Sequence, residues 1–155
     1  MGILDHMSQF DPGSEIVRVE NFLASKKNEI GFNTAIIGLS GGIDSSVTAI
    51  LAKRALNLQN FLVVFLPEST TPEQDRRDVN RLDQEFNLGV RVIEIDKFVS
   101  LFLNKLGALS ELAKANLKAR IRMIVLYTLA NKNNGLVIGT GNLSEWLLGY
   151  FTKYG

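Results

Sequence analysis

The apolar positions of the chain fall into two patterns. Four short continuous runs, Thr34–Leu39, Phe61–Leu66, Val90–Ile95 and Leu136–Gly139, predict strands covered on both faces. Between them, apolar residues recur at helical spacing. Ser14–Ile30 predicts a helix with Ser14 as N-cap, Ile16, Val19, Phe22 and Leu23 on one face, and Gly31 at the stop. Asp44–Leu56 predicts a second, with Val47, Ile50, Leu51 and Ala55 inward. Thr71-Pro72-Glu73-Gln74 reads as a capping box with proline at the first helical position. The helix it opens carries Val79, Leu82 and Phe86 inward and closes at Gly89. Asp96 is expected to cap a short helix with Phe98, Leu101 and Phe102, and Ser110 a long one running to about Asn131. A last helix starts at Asn142 or Ser144.

Strands separated by helices require crossovers. The expected fold is therefore α/β, three-layered αβα, with a parallel sheet of about four strands. Residues 7–155 read as a single domain, with no internal repeat and no linker. Met1–His6 reads as an expression-vector leader with Met7 the natural start, which removes His6 as a candidate ligand or base.

Composition narrows the function classes. With 46% hydrophobic residues the chain can bury a core. A net charge of +1 argues against a polybasic nucleic-acid arm or an acidic tail. The absence of cysteine excludes a disulfide scaffold, a thiolate metal site and a cysteine nucleophile. No apolar run reaches transmembrane length and no secretory signal opens the chain, so no membrane contact and a cytoplasmic location are expected.

In an open α/β sheet, ligands bind at the carboxyl ends of the strands. Candidate chemistry is therefore expected after Leu39, Leu66, Ile95 and Ile138. Ser40-Gly41-Gly42-Ile43-Asp44-Ser45-Ser46 follows the first strand. Its glycines permit close backbone approach, and the helix behind it presents free N–H groups and a positive dipole end. This is a phosphate cradle, though neither a Walker A loop nor a G-x-G-x-x-G fingerprint. Asp44 alone is explained as a helix cap worth about 1 kcal/mol. Beside phosphate, its charge calls for a bridging Mg2+.

S-G-G-I-D-S resembles the PP-loop of the N-type ATP pyrophosphatases. Two further stretches narrow the resemblance. Asn116–Met123 is similar to the N-x-K-A-R-x-R-M helix of NAD synthetases, and Gly139–Gly155 to their G-T-x-N-x-S-E-x-x-x-G-Y-x-T-K-Y-G run. Read alone, the three cations of Lys118, Arg120 and Arg122 are a solvated face, Glu145 a dipole-stabilised carboxylate and Lys153 a mobile surface charge.

The resemblance implies an adenine nucleotide alpha hydrolase-like fold. It implies ATP on Gly38, Leu39, Ser40, Gly41, Gly42, Ile43, Asp44, Ser45 and Thr140, the last of these ending a strand. Deamido-NAD would meet Arg120 and Lys153, and Mg2+ would bind Asp44 and Glu145. The implied reaction activates the nicotinate carboxylate as an acyl-adenylate, which ammonia converts to NAD with release of AMP and pyrophosphate. With no cysteine nucleophile and no room for a glutaminase domain, the ammonia-dependent form is expected. A homodimer is implied too, with the apolar side of Ser110–Asn131 a candidate contact. Family members continue past the equivalent of Gly155 with an aspartate, another strand, and a lysine and a hydroxyl residue for phosphate. The chain is therefore expected to be the amino-terminal part of such an enzyme. A non-catalytic nucleotide-binding or dimerising module, or another PP-loop ATP pyrophosphatase, are the alternatives.

Overall fold

A computed structural model describes residues 10–56 and 60–155; the leader expected at Met1–His6 lies outside them. Helix α1 (Pro12–Ile30) begins earlier than expected. Asp11, not Ser14, is its cap: the carboxylate accepts the Gly13 and Ser14 N–H groups at 3.2 and 3.0 Å, and the Ser14 hydroxyl donates to the Asp11 carbonyl. Gly31 ends it in the left-handed conformation, φ 75°. Leu23 packs on the core, while Phe22 faces outward.

Strand β1 (Thr34–Leu39) is buried along nearly its whole length. Helix α2 (Ile43–Leu56) follows. Its inward face is Ser45, Ser46, Ala49, Ala52 and Leu56, not the expected Val47, Ile50, Leu51 and Ala55. Val47 is exposed and the other three are half-buried. Small side chains let this helix lie close on the sheet, and that overrides the larger apolar stripe.

Strand β2 (Asn60–Phe65) leads to α3 (Glu73–Phe86). No capping box forms there. Pro72 stands at the cap position without a side-chain bond, and the Thr71 hydroxyl instead accepts the Glu68 N–H at 2.9 Å. The helix closes at left-handed Asn87, φ 49°, rather than at Gly89. Val79 and Leu82 face inward, whereas Phe86 is exposed.

Strand β3 is only Arg91–Val92, shorter than the expected Val90–Ile95. The Ile93 and Ile95 N–H groups still donate to Phe65 and Pro67 carbonyls, but Pro67 has no N–H to return, so the ladder stops. Helix α4 (Asp96–Leu106) has Ile95 at its cap position. The Asp96 carboxylate reaches across to the Ser69 N–H and hydroxyl instead. Val99 is its buried residue, and Phe98, Leu101 and Phe102 are exposed. Helix α5 (Glu111–Lys132) is capped by Ser110 as expected. Strand β4 (Leu136–Ile138) and helix α6 (Leu143–Leu148) follow. Thr140 lies in the loop after β4 rather than at the end of the strand.

The sheet order is β3-β2-β1-β4, with every pairing parallel. Along β1, Ala35, Ile37 and Leu39 pack on one face with Ala49, Ala52 and Val79 of α2 and α3. Ile36 packs on the other with Val99 of α4 and Ile121 and Ala130 of α5. The result is the expected three-layer αβα fold. The chain steps outward from β1 to β2 and β3, then crosses back to place β4 on the far side of β1. The crevice beyond the ends of β1 and β4 is therefore the topological switch point.

Candidate active site

The loop after β1 is held by its own hydroxyls. Ser45 Oγ donates to the Gly42 carbonyl at 3.0 Å and accepts the Ser40 N–H at 3.1 Å. Ser40 Oγ lies 3.0 Å from Ser45 Oγ and accepts the Gly42 N–H at 3.2 Å. Ser46 Oγ donates to the Gly42 carbonyl at 2.8 Å. Gly41 stands at φ 91°, and a Cβ there would sit 3.0 Å from the Asp75 carbonyl oxygen. The loop is thus pinned between its own helix and the first turn of α3. The first-turn N–H groups of α2 have no intrahelical partner, so they point a positive dipole end at the crevice.

Two cavities meet there. The larger, about 650 Å3, is lined by Gly38, Leu39, Ser40 and Ser45, by Thr140 and Gly141 after β4, and by an apolar wall including Val64, Leu126 and Val137. The smaller, about 180 Å3, is lined by Ser40, Gly42, Asp44, Ser45, Thr140, Gly141 and Glu145. Of the residues expected around ATP, Gly41 and Ile43 line neither cavity. Gly41 is packed on α3, and Ile43 is 74% exposed. Ser45 is buried, its hydroxyl committed to the loop.

Asp44 and Glu145 share the smaller cavity, although they lie on different helices. Glu145 Oε2 accepts the Asn142 N–H at 3.0 Å, and the Glu145 N–H donates back to Asn142 Oδ1 at 2.9 Å. This capping box fixes the Glu145 carboxylate toward the crevice. The two carboxylates and the Ser40 and Thr140 hydroxyls are hard oxygen donors suited to Mg2+. No group of three or more His, Cys, Asp or Glu that could hold a metal occurs among the described residues. Asp44 and Glu145 are two such carboxylates, so a Mg2+ between them would take most of its ligands from bound oxygens other than protein carboxylates.

Arg120 and Lys153 come together, but outside the lining of either cavity. Arg120 Nε donates to the Lys153 carbonyl at 3.3 Å, and Lys153 Nζ stands 5.1 Å from the centre of the Tyr154 ring. Thr152 Oγ1 bonds Asn116 Oδ1 at 2.8 Å, and a Cβ on Gly155 would lie 3.0 Å from Ala119. Residues 152–155 are thereby strapped along the Asn116–Arg120 face of α5.

The cation that does line the large cavity is Arg122, which the sequence reading grouped with Lys118 and Arg120 on a solvated face and did not single out for a ligand. Its partner Glu68, in the loop after β2, also lines it. Glu68 takes Lys118 at 2.7 Å and stands 4.0 Å from Arg122 Nη2. Burial pushes the Arg122 guanidinium below its ordinary pKa, and the Glu68 charge opposes that. The available signal was positional: Glu68 lies two residues past Leu66, at one of the strand ends singled out as informative.

The family model described as NAD synthase matches residues 15–155. The NH3-dependent NAD+ synthetase of Thermoplasma acidophilum is 45% identical over 141 residues, covering 91% of this chain and 57% of that protein. Its counterpart from Thermoplasma volcanium is 47% identical over 146 residues, covering 94% and 59%. Among solved structures, the NH3-dependent NAD synthetase of Campylobacter jejuni superposes with a TM-score of 0.88 at 36% identity, covering 94% of this chain and 63% of that one. The NMN synthetase of Francisella tularensis does so with a TM-score of 0.88 at 35% identity, covering 95% and 61%. The chain thus spans less than two thirds of the length of these relatives. A glycine- and serine-built loop at the switch point of a parallel sheet and a family match over nearly the whole chain agree, and the chain belongs to the NAD synthase family.

Proposed function

We propose that the chain serves the ATP-dependent amidation of deamido-NAD with ammonia, giving NAD, AMP and pyrophosphate. The observation that carries this reading is the Ser40–Ser46 loop opening, at the switch point, onto a cavity large enough for a nucleotide. In this reading the ATP phosphates rest on Gly38–Ser45, with Thr140 alongside. Mg2+ held by Asp44 and Glu145 would supply charge neutralisation for the departing pyrophosphate. The residues of the chain do the positioning. Loop and helix N–H groups orient the phosphates, and the apolar wall of Val64, Leu126 and Val137 keeps water from the reacting atoms. Arg120 and Lys153 hold the anionic dinucleotide. A nicotinate carboxylate oxygen then attacks the α-phosphorus in line, and pyrophosphate leaves. Ammonia displaces AMP from the acyl-adenylate.

The proposal includes a homodimer and a cytoplasmic location. Exposed Phe98, Leu101, Leu106, Leu112 and Ile124 on α4 and α5 support the first. No helix among the described residues is long and apolar enough to cross a membrane. The likeness to an NMN synthetase favours a second substrate, the corresponding mononucleotide.

The test is product formation by this chain with ATP, Mg2+, ammonium and deamido-NAD, each omitted in turn, with nicotinate mononucleotide as a parallel arm. Product that needs all four components is expected. ATP binding without product would point to the non-catalytic module. Failure to bind ATP would overturn the reading.

A further inference from the structure

We infer that Arg122 is a nucleotide-binding residue, its guanidinium meeting the phosphate chain of a nucleotide seated on the Ser40–Ser45 loop. The inference deepens the proposed function and rests on it.

Position carries the first part. Arg122 Nε donates to the Leu66 carbonyl at 3.0 Å. The parallel register sets Leu39 opposite Phe65, so Leu66 stands level with Ser40, the first residue of the loop. Neighbouring strands lie about 4.8 Å apart. The guanidinium is thus anchored one strand over from the loop and lines the same cavity as Ser40. Helix α5 is tight on β1 at this level: Leu126, one turn beyond Arg122, lies 3.1 Å from where a Cβ on Gly38 would stand. The loop and Arg122 therefore flank the phosphate end of the cavity from two sides.

Charge carries the second part. Two cations face one carboxylate, and Glu68 is committed to Lys118 at 2.7 Å. Arg122 Nη2 is 4.0 Å from Glu68, too far for a hydrogen bond. Lys118 does not line the cavity and Arg122 does. Glu68 lines the cavity too, but its carboxylate is held by Lys118, so Arg122 is the cation the trio offers to the ligand space. The Leu66 bond uses Nε alone and is the one hydrogen bond Arg122 makes among the described residues. Its terminal N–H groups are left as a planar fork, the geometry that matches phosphate oxygens. A strut between α5 and β2 would need only the Nε bond and would have no reason to face a nucleotide-sized space.

Calorimetric titration of this chain and of Arg122→Met and Arg122→Lys with ATP and with adenosine tests this. Arg122→Met is expected to weaken ATP about 10- to 100-fold, the range of a charge-assisted contact, and to leave adenosine unchanged. Arg122→Lys keeps the charge without the fork and should fall between. Equal weakening of ATP and adenosine, or unchanged ATP affinity in a folded Arg122→Met chain, would overturn the inference alone. Failure of the parent chain to take up ATP would overturn the proposed function with it. Should Arg122→Met not fold, phenylglyoxal labelling of the parent chain decides: ATP, and not adenosine, should shield Arg122. Equal shielding by both, or by neither, would refute the assignment.

Discussion

Gly41 sits at φ 91° with the Asp75 backbone 3.0 Å from where a Cβ would be. Gly41→Ala should therefore cost about 1–3 kcal/mol of stability, through strain and a collision that no rotamer relieves. It should also weaken ATP uptake, as read by urea midpoint and calorimetry. Ser45 is a second such position. Its buried hydroxyl serves both the Gly42 carbonyl and the Ser40 N–H, so Ser45→Ala should lose about 1–2 kcal/mol and loosen the loop. Asp96 acts through charge. The Ser69 hydroxyl and N–H hold its carboxyl below the usual carboxylate range. A depressed folded-state pKa contributes stability above the unfolded value, lost as pH falls through the folded one. Asp96→Asn should therefore be less stable than the parent at pH 7, with the gap narrowing toward pH 2, as urea midpoints at both pH values would show. The residue types of the loop were legible in the sequence. Which hydroxyls hold the loop was not, because that depends on how the loop folds against its own helix and α3.

Among elements, the continuous apolar runs marked all four strands, and Ser110 and Gly31 marked helix ends. The errors have physical causes. Four small residues and Leu56, not the expected stripe of Val47, Ile50, Leu51 and Ala55, form the inner face of α2, because the helix lies close on the sheet. Thr71 and Asp96 spend their polar atoms on the loop after β2 rather than on caps. At this scale the strap of residues 152–155 on α5 makes its own prediction. The Thr152–Asn116 hydrogen bond links them side chain to side chain, beside the Arg120 bond to the Lys153 carbonyl. A double-mutant cycle of Asn116→Ala and Thr152→Val should give a coupling of about 0.5–1.5 kcal/mol. Hydrogen exchange at residues 150–155 should accelerate in either single variant, whereas unchanged protection would show that packing and the Arg120–Lys153 bond hold the strap without it.

At the scale of the molecule, two hydrophobic cores lie on the two faces of one sheet, and a large apolar surface remains open. Leu143, Trp146, Leu147, Leu148 and Tyr150 are each more than 70% exposed within eight residues of sequence. Patches of this kind mark surfaces made to be covered. Sedimentation equilibrium should therefore show association that rises with protein concentration. A chain that stays monomeric at high concentration would argue against the proposed dimer.

Hydrophobic periodicity by itself determined the α/β class, the number of strands and their parallel run, because burial on both faces leaves a local mark in composition. The motif residues likewise placed the Ser40–Ser46 loop at a strand end. Asp44 and Glu145 share one cavity, as their places at two strand ends and the resemblance already implied; tertiary structure alone decided that Arg120 binds the Lys153 carbonyl while Arg122 lines the nucleotide-sized space. The two arginines are two positions apart on one helix and so point in different directions. Which of them meets the cavity depends on the rotation of α5 against the sheet, and packing rather than local sequence sets that angle.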